Sequence, residues 1–229
     1  SRNLKYAVKD GKDLLTAFRS VEGATVIADS LFDNSFTVAN IAKLKEKLMQ
    51  TTIEDKVIVS FSGHGMLDDS LRFYLATYDM DFENPGKKGL AFSALEEMLT
   101  AIPARKKLLL IDACNSGNID KDANQPAATG EILADEVRIQ SDTIKSARGV
   151  ELPVPTHTNL QQVINQLFVS SSNKGGIEVI AATAGNAFAY EAPQWNNGVF
   201  TYALLQTFNR NSDLDKNFDE QISIKEIKQ

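Results

Sequence analysis

Two apolar runs, each broken off by glycine and small polar residues, constrain this chain more than anything else in it. Lys56-Val-Ile-Val-Ser-Phe61 leads into Ser62-Gly-His64-Gly65, and Lys107-Leu-Leu-Leu-Ile-Asp112 leads into Ala113-Cys114-Asn-Ser-Gly117. Continuous β-branched and aliphatic residues, with little polar alternation, are what a strand covered on both faces of a parallel sheet requires. Between the runs, Phe92 to Ala101 has helical spacing, with Ser93 and Glu96 at the capping-box offset and Pro103 just beyond. Strand, helix, strand in that order predicts a βαβ unit. Open sheets of this kind gather their chemistry outside the carboxyl ends of the strands, where His64 and Cys114 stand.

The remaining elements extend the same architecture. Asp10 to Phe18 reads as a helix, with Leu14, Leu15 and Phe18 at helical spacing and Gly23 ending it. Ala24 to Ala28 reads as a short strand. Asn40 to Met49 reads as a helix burying Ile41, Leu44, Leu48 and Met49. Leu71 to Tyr78 alternates like a short strand or hairpin arm, Ile177 to Thr183 is a further buried strand, and Phe200 to Phe208 is a helix approached through Asn197-Gly198. Two stretches break the rhythm. Asn115 to Thr158 holds nothing convincing beyond a polar helix near Glu131 to Ile139, and a loop that long is functional or disordered. Arg2 to Lys9 enters the first helix without an apolar strand before it, so an opening strand is expected upstream or on another piece of chain.

Composition excludes several tasks. The 229 residues, 43% of them hydrophobic, suffice to bury the core of one domain. A formal net charge of −6, with Lys and Arg scattered, argues against nucleic-acid or anionic-membrane binding. No apolar run approaches the roughly 18 residues of a bilayer span, and no signal peptide opens the chain. A single cysteine forms no internal disulfide, so nothing demands an oxidising compartment and a cytoplasmic location is expected.

The lone cysteine carries the chemical interest. Attack by sulfur needs the thiolate, and an imidazole can take the thiol proton and later return one to a leaving amine. The backbone N–H groups of Gly65 and Cys114 are candidates to face a developing oxyanion, and Asn115, Ser116 and Gly117 are small enough to leave the thiol accessible. A cysteine ending an apolar strand is also often just a small buried hydrophobe, and a glycine-flanked histidine a turn residue. Their combination, at corresponding places on two strands, favours catalysis. His157, in a proline-rich stretch away from both strand ends, reads as structural or exposed.

Ser62-Gly-His-Gly65 and Asp112-Ala-Cys-Asn-Ser-Gly117, with fifty positions from His64 to Cys114, resemble the paired motifs of caspase-like cysteine peptidases. The likeness is greatest to bacterial caspase homologues and metacaspases, the peptidase C14 type. It continues through Ile177 to Leu205, including Ala184-Gly185-Asn186, Glu191 and Gly198-Val-Phe-Thr-Tyr-Ala-Leu204. The resemblance implies one caspase-like domain over residues 1–229. Its fold would be a three-layer α/β sandwich, a mostly parallel central sheet with helices on both faces. It implies a cysteine endopeptidase with a His64–Cys114 dyad acting on peptides or proteins. Asp112, and with it Asp10, would hold the Arg or Lys after which the chain is cut, through charge-assisted hydrogen bonds. Asp10 reads equally well as a carboxylate favoured by a helix N-terminus, and Asp112 as a strand-end acid satisfied by local backbone. Asn115 departs from the His common in metacaspases, and the family's opening strand is absent.

In the same resemblance, residues 115–176 link large- and small-subunit-like halves. That linker carries Lys121, Arg138, Lys145, Arg148 and Lys174, and a basic-specific enzyme would process itself first at Lys145 or Arg148. A solvated loop would hold the same charges. A catalytically silent adaptor or regulatory module, with further domains or a regulatory partner, is the main rival reading; another thiol chemistry such as acyl transfer is the second.

The tail, residues 213–229, offers a different pattern. Asp215, Asn217, Asp219, Ser223 and Glu226 fall at oxygen-ligand positions of an EF-hand loop, with Ile222 at its apolar position. Glu220 stands where the sharp turn wants glycine. Calcium binding and a polar turn into a last helix are both open, and the thiol chemistry itself requires no cofactor.

Overall fold

The strand that ends in His64 is longer than its apolar run. In the computed structural model, which describes residues 4–21, 23–115, 143–145, 151–153, 164, 166–168, 175–182, 191–192, 195–209, 215–219 and 223–227, β1 spans Lys56–Leu67. Helices α1 (Ala7–Arg19) and α2 (Val38–Leu48) precede it, with a 3-10 turn at Asp33–Ser35. Then follow β2 (Phe73–Leu75), β3 (Leu90–Ala91), α3 (Phe92–Ala101) and β4 (Lys106–Asn115). A hairpin of β5 (Thr143–Lys145) and β6 (Glu151–Pro153) comes next, then β7 (Ile177–Ala181), β8 (Glu191–Ala192), β9 (Asn197–Gly198), α4 (Val199–Asn209) and α5 (Ile224–Ile227).

The central sheet has the order β3-β2-β1-β4-β7. The three longest strands run parallel, β4 between β1 and β7, while β2 pairs antiparallel with both β1 and β3, making the sheet mixed. β4 shows why its sequence lacks polar alternation. Leu109, Ile111 and Ala113 pack with Ile41 of α2 and Leu95 and Leu99 of α3. Leu108 and Leu110 point the other way, into a cluster with Leu14 of α1 and Leu204 of α4. A strand with helices on both faces must be apolar at every position.

Several boundaries differ from the sequence reading, each for a local reason. β1 continues past Phe61 because β2 pairs with its far end, Gly65 with Leu75 and Leu67 with Phe73; His64 therefore lies within a strand. Ala24 to Ala28 is not a strand. Among the described residues no ladder partner stands beside it, and Ile27 is 91% exposed. α1 ends at Ser20 rather than Gly23, with the Ser20 N–H reaching the carbonyls of Thr16 and Ala17. α2 starts earlier than expected because Thr37 caps it, accepting from the Asn40 N–H at 3.3 Å. α3 has the expected span, but Ser93 is not its cap: β3 runs directly into the helix and Ala91 occupies that position without a side-chain bond. The β5–β6 hairpin, with Ile144 opposite Leu152, was not expected within Asn115 to Thr158; Glu131 to Ile139 lies outside the described residues. None of the described helices is long and apolar enough to cross a membrane.

The tail closes on Glu226. Ser223 and Glu226 form a capping box at the start of α5: the Ser223 N–H and hydroxyl donate to Oε2 at 2.9 and 2.7 Å, and the Glu226 N–H donates to Ser223 Oγ at 3.3 Å. The Lys216 N–H donates to Oε1 at 2.9 Å. These donors, the Ser223 backbone first, pull the Glu226 carboxyl from 4.5 down to about 2. Because the folded-state value is depressed, the stabilisation is present above pH 4.5 and lost as pH falls toward 2. Glu226→Gln should lower the melting temperature at pH 7 and flatten the acid limb of stability across that window; an unchanged acid limb would contradict the assignment. In the core, Leu109 is fully buried, and Leu109→Ala should lose about 2–5 kcal/mol in denaturant unfolding.

Candidate functional site

β1 and β4 run side by side in one unbroken parallel register, from Lys56 opposite Lys106 to Gly65 opposite Asn115. Within it Ser62 pairs with Asp112, and His64 pairs with Cys114. The two residues singled out from the sequence are thus direct neighbours across adjacent strands, which lie about 4.8 Å apart in a sheet. Gly65, one position on, has Leu75 of β2 on its other side.

The acidic residues converge one step below this pair. Leu14 of α1 packs against Leu110, and Asp10, one helical turn earlier on the same face, reaches the level of Ser62 and Asp112. Asp10 is 1% exposed and Asp112 7%. The Asp10 carboxylate accepts from the Gly198 N–H at 3.1 and 3.3 Å, from Asn197 Nδ2 at 2.9 Å and from Ser62 Oγ at 3.3 Å. Gly198 shows how close the two acids come. A Cβ added there would lie 2.8 Å from Asp112 Oδ2 and 3.0 Å from Asp10 Oδ2. Both carboxylates meet over a bare Cα, and only glycine leaves them room.

Sequence reasoning missed several participants. Ser62 was read only as part of the histidine motif, yet it donates to Asp10. Asn197 was read as a helix approach, yet it is buried, 5% exposed, and its Nδ2 donates to both Asp10 Oδ1 and Asp13 Oδ2, the second at 2.8 Å. Lys9 pairs with Asp13 and points Nζ at Asn197 Oδ1, 3.5 Å away. Burial raises the Asp13 carboxyl, but the Lys9 and Asn197 hydrogen bonds and the Lys9 charge outweigh it and hold the group below its ordinary value. Lys9, Asp10 and Asp13 share a helical neighbourhood, which was a usable signal. Phe82 is another. Its ring meets His64 edge-on, centroids 6.3 Å apart at 76°. The turn bearing it is tied by Thr77 Oγ1 donating to the Lys88 carbonyl at 2.7 Å and by the Lys88–Asp79 ion pair.

The tail residues lie together in a loop of their own. The Asp219 N–H donates to Asp215 Oδ1 and Asn217 Oδ1, and Asn217 Nδ2 donates to Asp219 Oδ2. Glu226 serves the capping box. Among the described residues no group of three or more His, Cys, Asp or Glu is arranged to hold a metal. Glu220, Gln221 and Ile222 lie outside the described residues, as do His157, Lys121, Arg138, Arg148 and Lys174. Lys145 ends β5 opposite Glu151.

Comparison with known proteins agrees with this architecture. The family described as caspase domain, peptidase C14, matches residues 1–224. The crystal structure of protein GSU0716 from Geobacter sulfurreducens is similar in fold, with a TM-score of 0.51 at 16% identity over 91% of this chain and 74% of that one. No curated protein matches. A parallel His- and Cys-bearing strand pair, helices on both faces and a family match over nearly the whole length lead to one statement of kinship: the chain belongs to the peptidase C14 family and is a caspase domain.

Proposed function

We propose that this caspase domain is a cysteine endopeptidase in which His64 and Cys114 form the dyad and which cleaves after Arg or Lys. The observation that carries the reading is the register of β1 and β4: His64 opposite Cys114, with Ser62 opposite Asp112 directly below. Register partners on adjacent strands are backbone neighbours about 4.8 Å apart, which supports pairing these two residue types in one site.

The chemistry follows from that pairing. His64 takes the thiol proton, and the Cys114 thiolate attacks the scissile carbonyl carbon, forming a C–S bond and an oxyanion. The N–H groups of Gly65 and Cys114 stabilise that oxygen. As the oxyanion collapses, the C–N bond breaks and the imidazolium returns its proton to the leaving amine. Water, deprotonated by His64, then attacks the thioester; the acid product leaves and the thiol re-forms. Asp112 and Asp10, adjacent over Gly198, supply negative charge for a guanidinium or ammonium side chain.

The same preference makes the 115–176 linker a substrate, with Lys145 and Arg148 the first bonds to cut. Intact-mass measurement should find fragments in the wild type and a single full-length chain in Cys114→Ala; identical intact chains in both would remove self-processing. For the activity itself, a fluorogenic peptide ending in Arg should be turned over by the wild type. His64→Ala should lose about 10²–10⁴-fold in kcat/KM, and Cys114→Ala should be inert. Hydrolysis after Asp with none after Arg or Lys would overturn the specificity. Equal rates in wild type and Cys114→Ala would overturn the mechanism.

A further inference from the structure

We propose that Asn197 is a positioning residue that sets the Asp10 carboxylate in the cation-selecting pocket, a reading that rests on the proposed preference for Arg or Lys. Asn197 is joined to the two acids of α1 through a single nitrogen. Nδ2 carries two hydrogens, and Asp10 Oδ1 at 2.9 Å and Asp13 Oδ2 at 2.8 Å take one each. An amide oxygen in that place would face two carboxylates, so the orientation is dictated by its neighbours; Lys9 Nζ on the Oδ1 side agrees with it. The two acids differ. Asp13 is about one-third exposed and is ion-paired with Lys9, whereas Asp10 is buried, 1% exposed, and lies with Asp112 over Gly198. Asn197 therefore separates an outer, charge-balanced carboxylate from the inner one proposed to meet substrate.

The consequence is directional. With the amide in place, Asp10 is held by Asn197 from one side, by the Gly198 N–H from below and by Ser62 Oγ from β1. Without it, Asp10 loses one of its side-chain donors and keeps the Gly198 N–H and Ser62 Oγ, so its carboxylate is less firmly set beside Asp112. Asn197 itself does not touch the scissile bond, so its loss should act on substrate affinity far more than on chemistry. A tie that merely joined α1 to β9 would change stability and leave affinity alone.

The full-length chain tests this with an Arg-terminated fluorogenic peptide and benzamidine as a competing cation. Asn197→Ala should raise KM, and the inhibition constant of benzamidine, by about tenfold, while kcat falls by less than about threefold. Asn197→Asp is nearly isosteric but places a third carboxylate beside Asp10, Asp13 and Lys9, with Asp112 across Gly198. Its KM, relative to wild type, should be high at pH 7.5 and recover toward pH 5.5, where the protonated acid again donates. Should Asn197→Ala fail to fold, that pH dependence decides. Folded variants with wild-type KM at both pH values would overturn the inference. Asp10→Asn and Asp112→Asn serve as controls. If they raise KM and the Asn197 variants do not, only the role of Asn197 falls; if they leave KM unchanged, the acidic pocket falls and Asn197 with it.

Discussion

The parallel pairing of β1 with β4 is the constraint on which the rest depends. Its register brings together two strands whose sequences separately carry a histidine and a cysteine, and side-chain alternation has a period of two. A slip by one residue would turn one of the pair to the other face of the sheet. Burial accompanies this pairing on both faces: Leu109, Ile111 and Ala113 lie on the α2–α3 side and Leu108 and Leu110 on the α1–α4 side, so the strand that carries the cysteine is also the middle of the core. The stability of the core and the geometry of the site are thus one requirement.

The second layer of the site belongs to the helices. α1 packs against β4 through Leu14, and that contact carries Asp10 to the buried level of Ser62 and Asp112. α4 begins at the same place, so Asn197 and Gly198 deliver an amide and a backbone N–H to Asp10. Gly198 lacks a side chain at the one point where a Cβ would collide with both acids. A carboxylate buried as deeply as Asp10 is tolerable only when donors surround it, and these elements supply them.

What could be read from sequence divides along the same line. β4, α3 and α1 were legible because each buries a periodic or continuous apolar face. That His64, Cys114 and Asp112 stand on adjacent strands was legible because each follows such a run. Asp10 had two equal readings from sequence, and its hydrogen bonds to Asn197, Gly198 and Ser62 depend on helices crossing a sheet, which local pattern does not encode. Asn197 and Phe82 were missed for that reason. Ala24 to Ala28 went wrong because an apolar stretch says nothing about whether a partner edge is beside it. Glu226 was left open between a calcium ligand and a polar turn into a last helix, although Ser223 three residues earlier spells the capping box seen in the structure.

The central claim is that imidazole and thiol act as one unit, and the pH dependence of Cys114 alkylation by iodoacetamide tests it most directly, needing no substrate. A thiol paired with an imidazole is alkylated as the thiolate well below the ordinary thiol value of about 8.5. The account predicts that wild type reacts rapidly at pH 6 to 7, and that His64→Ala moves the midpoint up toward that ordinary value. Superimposable profiles for the two proteins would contradict it.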